Sequence, residues 1–374
     1  MNRNVHDNSQ HGIIKKILVV HPYFNDVGGA EEVLLKVLES LIEQKQDCFL
    51  LGELPSGNMF DNLLISGIKQ IRYDFATDFK PKRFQTHHRL FRHLQLKGKI
   101  RRRIGKVNLE IGTQDPMYFI GVGKKRVMYL HFPENLTRMQ KSNSRYRWFW
   151  YLFYLAVTFQ LKRQMKGTDL LLCNSLYTKN AIREYYGREA ELVYPPVDVE
   201  DFMPAQKESL VISVGRFVPA KNYELIIQVA GQMPNVKFVL VGRKHSNDPY
   251  YDKINSLKPD NVNLVANATR ADVIALLGKA KIYLHSRIGE SFGISVAEAM
   301  AAGCIPVVHN SGGPKEIAGS YGFFYNNIEE CVKAINDALQ SNVKPNDIAE
   351  RTKMFSSYNF KKNFVATLEK RGFL

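Results

Sequence analysis

KIYLHS (281–286), GESFGISVAEAMAAG (289–303) and IPVVHN (305–310) follow one another almost without interruption. The first and last are short apolar runs of strand type. The middle one leaves a glycine turn and enters a stretch of good helix formers. The runs are apolar throughout rather than alternating, as expected of parallel strands covered on both faces. The pattern extends backward through LVISVG (210–215), YELIIQVAGQM (223–233), KFVLVG (237–242) and VNLVA (262–266). It also occurs nearer the start: KILVV (16–20), a helical run from about Ala30 to Leu41, CFLLG (48–52), RVMYLHF (126–132), LLLCNS (170–175) and ELVYP (191–195). Strand and helix in alternation predict an α/β protein with two parallel sheets.

With 374 residues, 45% of them hydrophobic, the chain is long enough for two cores. Pro195-Pro196 interrupts the alternation where a linker belongs. The expected organisation is a polar tail at 1–12, a first domain over 13–196, a second over 197–355, and a helical segment at 356–374. Cys48, Cys173, Cys304 and Cys331 form no CxxC pair, which argues against a zinc site or a disulfide framework and fits a reducing compartment. The first residues carry no apolar signal-peptide core. No run reaches the roughly 20 apolar residues that a membrane span needs. A cytoplasmic protein is expected.

The net charge of +16 is uneven: residues 1–198 hold 31 Lys and Arg against 19 Asp and Glu. Between Phe79 and Leu109 stand eleven basic residues and no acid. Such a block is either a solvated face or a surface for an anionic partner. WFWYLFYLAVTF (148–159), flanked by Arg145, Arg147, Lys162 and Arg163, is too short to span a bilayer. It suits either a buried helix or a membrane interface. A nucleic-acid-binding protein is a competing class, but the aromatic run is not interleaved with the basic one and no nucleic-acid motif is present, so no nucleic-acid partner is expected.

The chemistry concentrates at 289–303. Glu290 precedes the helix and Glu298 lies within it, and between them Ser291, Phe292, Gly293 and Ile294 bring backbone N–H groups to the helix N-terminus, a place for phosphate or sugar oxygens. Glu290 can accept from sugar hydroxyls, and Glu298 can clamp a vicinal diol such as a ribose. NSGGP (310–314) makes a second tight turn near the same sheet edge. Ligands in such sheets bind at the carboxyl ends of the strands. Arg216 and Lys221 follow a strand at that edge and can neutralise a diphosphate, with no divalent metal required. Gly28 and Gly29 open a helix after the first strand, a tight turn or a phosphate approach point. His131 closes another strand.

GESFGISVAEAMAAG resembles the Glu-x7-Glu signature of the large family of retaining glycosyltransferases with the GT-B fold, the one numbered four. SVGRFVPAKN (213–222) resembles its second signature. GGAEEVLLKVLESL (28–41), YLHFP (129–133), CNSLYTK (173–179) and VYPPVD (193–198) extend the resemblance over nearly all of the chain. The resemblance implies two Rossmann-like domains facing across a cleft, with 356–374 crossing back to the first. It implies a nucleotide-sugar donor on the second domain, held by Arg216, Lys221, Glu290 and Glu298, and a sugar-site role for His131. GESFGI is similar to versions common among mannosyltransferases, and YLHFP, VYPPVD and the basic, aromatic first half resemble enzymes that mannosylate lipid-linked oligosaccharides at a cytosolic membrane face. GDP-mannose is the favoured donor, with UDP-linked sugars as the alternative. No cofactor or metal is expected; the partners are the donor, a lipid-linked or glycan acceptor and an anionic membrane surface. An inactive sugar-nucleotide-binding subunit is the remaining alternative, and the intact set Arg216, Lys221, Glu290 and Glu298 argues against it.

Overall fold

A computed structural model describes residues 14–21, 28–52, 68–72, 85–114, 116–133 and 147–374. The expected tail at 1–12 and the start of the basic block lie outside the described residues. The chain divides into two compact units, one of residues 1–129, 142–171 and 365–374, the other of 130–141 and 172–364.

Seven strands form the first sheet: β1 (Lys16–Val20), β2 (Asp47–Gly52), β3 (Lys69–Arg72), β4 (Val107–Gly112), β5 (Gly123–Leu130), β6 (Leu170–Cys173) and β7 (Glu191–Leu192), in the order β3-β2-β1-β4-β5-β6-β7. Six form the second: β8 (Glu208–Val214), β9 (Lys237–Gly242), β10 (Val262–Ala266), β11 (Ala280–His285), β12 (Ile305–His309) and β13 (Phe323–Tyr325), in the order β10-β9-β8-β11-β12-β13. The pairs β1–β2, β1–β4, β8–β9 and β8–β11 are parallel. Both orders run out from the first strand and then reverse, the doubly wound arrangement. The reversal opens a crevice at the carboxyl ends of β1 and β4 in one sheet and of β8 and β11 in the other.

Helices cover the sheets because the strand residues are apolar on both faces. Val211, Ile212, Leu240, Ile282, Leu284 and Val307 are almost wholly buried. Each such side chain contributes roughly 1.5–3 kcal/mol of transfer free energy. The strands expected from apolar runs are all present. β3, β4 and β13 were not among them. β4 reads VNLEIG, and Glu110 in its middle is fully buried. Its carboxylate accepts from the backbone N–H groups of Ile120, Gly121 (2.9 Å), Val122 (3.0 Å) and Gly123 (3.1 Å). Those bonds make a buried charge tolerable.

The aromatic stretch lies within the helix Arg147–Lys166. Leu161 and Met165 of that helix are buried, whereas Leu155 and Phe159 are exposed. Among the described residues no helix is long and apolar enough to cross a membrane. The last helix, Ser357–Lys370, buries Phe360, Phe364 and Leu368 at i, i+4, i+8 spacing. Its start is pinned where Ser357 Oγ donates to Asp198 Oδ1 at 2.7 Å.

Candidate active site

The second sheet's crevice assembles most of the residues singled out from sequence. β8 delivers Gly215 and Arg216, and a short 3-10 turn, Pro219–Lys221, delivers Lys221. β11 delivers His285, after which the chain turns through Arg287 to Glu290. The two segments are joined where Ser286 Oγ donates to the Lys221 carbonyl at 2.6 Å. Lys221 Nζ then reaches Glu290 Oε2 at 2.8 Å, and Arg287 Nη1 reaches Glu290 Oε1 at 3.1 Å. His285 Nε2 stands 3.8 Å from Glu290 Oε2, an electrostatic contact too long for a hydrogen bond.

The charges follow from this geometry. Burial alone would push the Glu290 carboxyl up, but His285, Lys221 and Arg287 outweigh it and hold the group well below the usual carboxylate range. Burial, helped by the Lys221 and Arg287 charges, lowers the pKa of His285 despite the neighbouring carboxylate. At neutral pH the cluster is therefore one carboxylate, one neutral imidazole and two cations, with Arg216 exposed close by in sequence to Lys221. The excess is positive, as a diphosphate requires. Sequence reading missed His285 and Arg287, although both lie in or beside the stretches it quoted.

Helix Ile294–Ala301 begins after Gly293, whose φ of +108° is open to glycine and strained for other residues. No acceptor within the described residues takes the backbone N–H groups of Phe292, Gly293 or Ile294. The Phe292 side chain is core, packed edge-on to Phe355 at 5.6 Å, so only its backbone is available to a ligand. The Ser291 carbonyl accepts from Ser175 Oγ at 2.6 Å. NSGGP presses against the same loop. Gly313 N donates to the Glu290 carbonyl at 2.9 Å, and a Cβ on Gly313 would stand 2.4 Å from the Ser291 carbonyl oxygen. Only glycine permits that approach.

Glu298 lies one turn into the helix and accepts from Arg270 Nη1 at 2.6 Å. Burial raises its carboxyl pKa and Arg270 pulls it back. Burial likewise works against the Arg270 charge, yet the pair leaves that guanidinium's pKa raised. For Glu298 burial outweighs the guanidinium, and its carboxyl pKa stays raised.

His131 follows β5, and its carbonyl accepts from Thr178 Oγ1 at 3.0 Å. Ser175, the N-cap of helix Leu176–Tyr186, donates its one hydroxyl proton to the Ser291 carbonyl and accepts from the Thr178 backbone N–H at 3.0 Å. Through these two hydroxyls the His131 strand end is linked to the Glu290 loop.

Gly28 and Gly29 belong to the first unit, whereas Arg216, Lys221, Glu290 and Glu298 belong to the second. Gly28 caps helix Gly29–Glu43 in extended conformation, its N–H donating to Glu31 Oε2 at 3.1 Å. The first sheet's own crevice carries a polar group absent from the sequence reading. Buried His21 follows β1, its Nδ1 2.7 Å from Thr113 Oγ1 and its Nε2 2.9 Å from Gln114 Nε2. Among the described residues no group of three or more His, Cys, Asp or Glu side chains converges as metal ligands.

Two family models match the chain: Glycosyltransferase Family 4 over residues 27–201 and Glycosyl transferases group 1 over residues 198–355. The chain belongs to the family 4 glycosyltransferases. This glycosyltransferase is similar to proteins named GDP-Man:Man(3)GlcNAc(2)-PP-Dol alpha-1,2-mannosyltransferase. The one from Dictyostelium discoideum is 27% identical over 53% of this chain and 46% of its own length. The one from Xenopus tropicalis is 25% identical over 93% of this chain and 86% of its own. The chain thus spans about half of the first relative and most of the second. The fold is shared with sucrose-phosphate synthase from Thermosynechococcus elongatus, with a TM-score of 0.74 at 14% identity over 95% of this chain and 98% of that one. It is shared also with Anabaena HepE in complex with UDP, with a TM-score of 0.72 at 17% identity over 96% and 100%. The glycosyltransferase's Glu-x7-Glu pair is Glu290 and Glu298, and its second signature supplies Arg216 and Lys221.

Proposed function

We propose that this glycosyltransferase moves mannose from GDP-mannose to a lipid-linked oligosaccharide with retention of configuration and without a metal ion. The contact that carries the reading is the Lys221–Glu290 pair at 2.8 Å, which joins a cation suited to the leaving diphosphate to a carboxylate suited to the sugar. The relatives' names support GDP-mannose, a dolichol-linked acceptor and an α-1,2 linkage. In the reaction, an acceptor hydroxyl bonds to the anomeric carbon as the bond from that carbon to the diphosphate oxygen breaks. The hydroxyl proton passes to the departing diphosphate. Arg216 and Lys221 stabilise the charge developing there, Glu290 and the N–H groups of Phe292 to Ile294 orient the sugar, and Glu298 holds the ribose. His131 lines the sugar site. An α-linked donor giving an α-linked product requires retention.

The enzyme works as a peripheral protein at the cytosolic face of a membrane. Exposed Phe91 and Leu94 on helix Gln85–Ile104 and exposed Leu155 and Phe159 on helix Arg147–Lys166 support this reading, each helix carrying cations toward its C-terminal end. Incubation with GDP-mannose and with UDP-linked glucose, galactose and N-acetylglucosamine, using an oligosaccharide diphosphate-lipid acceptor, tests the function. Transfer from GDP-mannose alone is expected, with an α-1,2 product by NMR. Transfer only from a UDP-sugar would overturn the donor assignment.

A further inference from the structure

At the edge of the first sheet opposite its crevice lies an open cavity of about 530 Å³ lined by Arg101, Gly105, Lys106, Gly121, Val122, Gly123 and Lys124. It sits where helix Gln85–Ile104 gives way to β4 and where β5 begins. Three of its lining residues are cations and none is an acid. A fourth cation adjoins it: a Cβ on Gly121 would stand 3.0 Å from Arg101 Nη2 and 3.7 Å from Lys97 Nζ.

A helix C-terminus attracts cations for its own sake, since its carbonyls are unsatisfied. That accounts for some of the charge. Lys16 Nζ donates to the Ile104 carbonyl at 2.7 Å. Arg101 is engaged not by its own helix but by the turn before β5, donating through Nε to the Ile120 carbonyl (3.2 Å) and through Nη2 to the Gly121 carbonyl (3.0 Å). The helix end does not account for Lys106 and Lys124, both exposed at the rim. The nearby acid is committed elsewhere: both Glu110 oxygens are taken up by backbone N–H groups of residues 120–123. Crowding is felt in Lys97, whose pKa is lowered by burial first and then by Arg101, Arg126 and Arg163, with Glu110 opposing. Like charges held together around a cavity without a free carboxylate favour an anion whose oxygens can meet several donors at once: the guanidinium N–H groups of Arg101 not taken by the Ile120 and Gly121 carbonyls, and the ammonium groups at the rim.

We propose that this cavity binds a phosphate monoester group, carried by a lipid headgroup or free. The site lies on a different sheet from the donor residues and does not depend on which sugar is transferred.

The test is lysine acylation mapped by mass spectrometry, combined with vesicle sedimentation. Probes are vesicles of phosphatidylcholine containing phosphatidic acid, vesicles of phosphatidylcholine alone, and inorganic phosphate against chloride at matched ionic strength. Slower acylation of Lys106 and Lys124, relative to Lys333, is expected with phosphatidic acid vesicles. Protection by those vesicles but not by free phosphate assigns a lipid source; protection by free phosphate assigns the free ion. Protection by neither overturns the proposal. Lys106→Glu with Lys124→Glu should weaken vesicle binding by at least about 25-fold, since each cation near an anionic surface is worth roughly fivefold. The control is Arg102→Glu with Arg103→Glu, exposed cations of the same helix end that do not line the cavity. An equal loss in that control means diffuse attraction and no site. All four positions are exposed, so both variants should keep the wild-type melting temperature, and phosphate protection of Lys106 and Lys124 can still be read in the control.

Discussion

Replacing Glu290 by Gln removes a charge and keeps the shape. The carboxylate is buried between Lys221 at 2.8 Å and Arg287 at 3.1 Å, with 13% of its side chain exposed. At an effective dielectric constant near 20, the bare attraction across 2.8 Å is about 6 kcal/mol. Desolvation offsets most of it, the two cations are partly hydrated, and Gln keeps one acceptor oxygen, so a net loss of about 1–3 kcal/mol is expected. At roughly 2–4 °C per kcal/mol, the melting temperature should fall by about 2–12 °C. This difference should depend on pH. The folded carboxyl is held below its ordinary value, so its contribution is complete above the unfolded value of about 4.3 and is lost as pH falls below it toward the folded value. The gap between wild type and variant should therefore be flat at neutral pH and narrow below about pH 4. Turnover should fall by about 10²–10³, because an interaction with the reacting sugar is lost. Affinity for the free nucleoside diphosphate should hold or tighten, since a negative charge has left the neighbourhood of an anion. Calorimetric titration with GDP beside steady-state kinetics reads both. A loss of GDP affinity as large as the loss of turnover would refute the division of roles.

Arg216→Ala and Lys221→Ala should each lower turnover about 10²–10³-fold, measured on the enzyme's own donor; a double variant near wild-type rate would sink their assignment. Glu298→Gln should weaken calorimetric binding of free nucleoside diphosphate and sugar nucleotide alike, whereas a loss confined to the sugar nucleotide would contradict a ribose clamp. Activity should persist in EDTA, because cationic side chains take the metal's place; full loss, restored by Mg²⁺ or Mn²⁺, would show otherwise.

The strands legible in the sequence were those with unbroken apolar runs, such as KFVLVG and KIYLHS. β4 was not legible because Asn108 and Glu110 interrupt it, and the N–H groups that make a buried Glu110 tolerable come from a loop ten residues on. β3 is KQIR, too short and polar to stand out. In the site, Glu290, Lys221 and Arg216 were readable from their signatures, but the 69-residue separation across which Lys221 meets Glu290 is bridged only by sheet order. Arg287 stood within reach three residues before Glu290. Arg270 offered no local signal, since its partner lies 28 residues later on another helix. Phe292 was correctly placed in the loop, while its ring belongs to the core.

The first unit contains residues 1–129 and 142–171 but is completed by 365–374, with buried Phe373 lying 5.9 Å beneath the Lys125 ammonium. A ribosome makes the chain from the other end. Residues 1–129 therefore wait for residues 365–374, which are made after most of the second unit. Released chains truncated before residue 365 should hold a protease-resistant second unit and an incomplete first one. Removing residues 365–374 would then do its damage in the unit that holds the first strands of the chain.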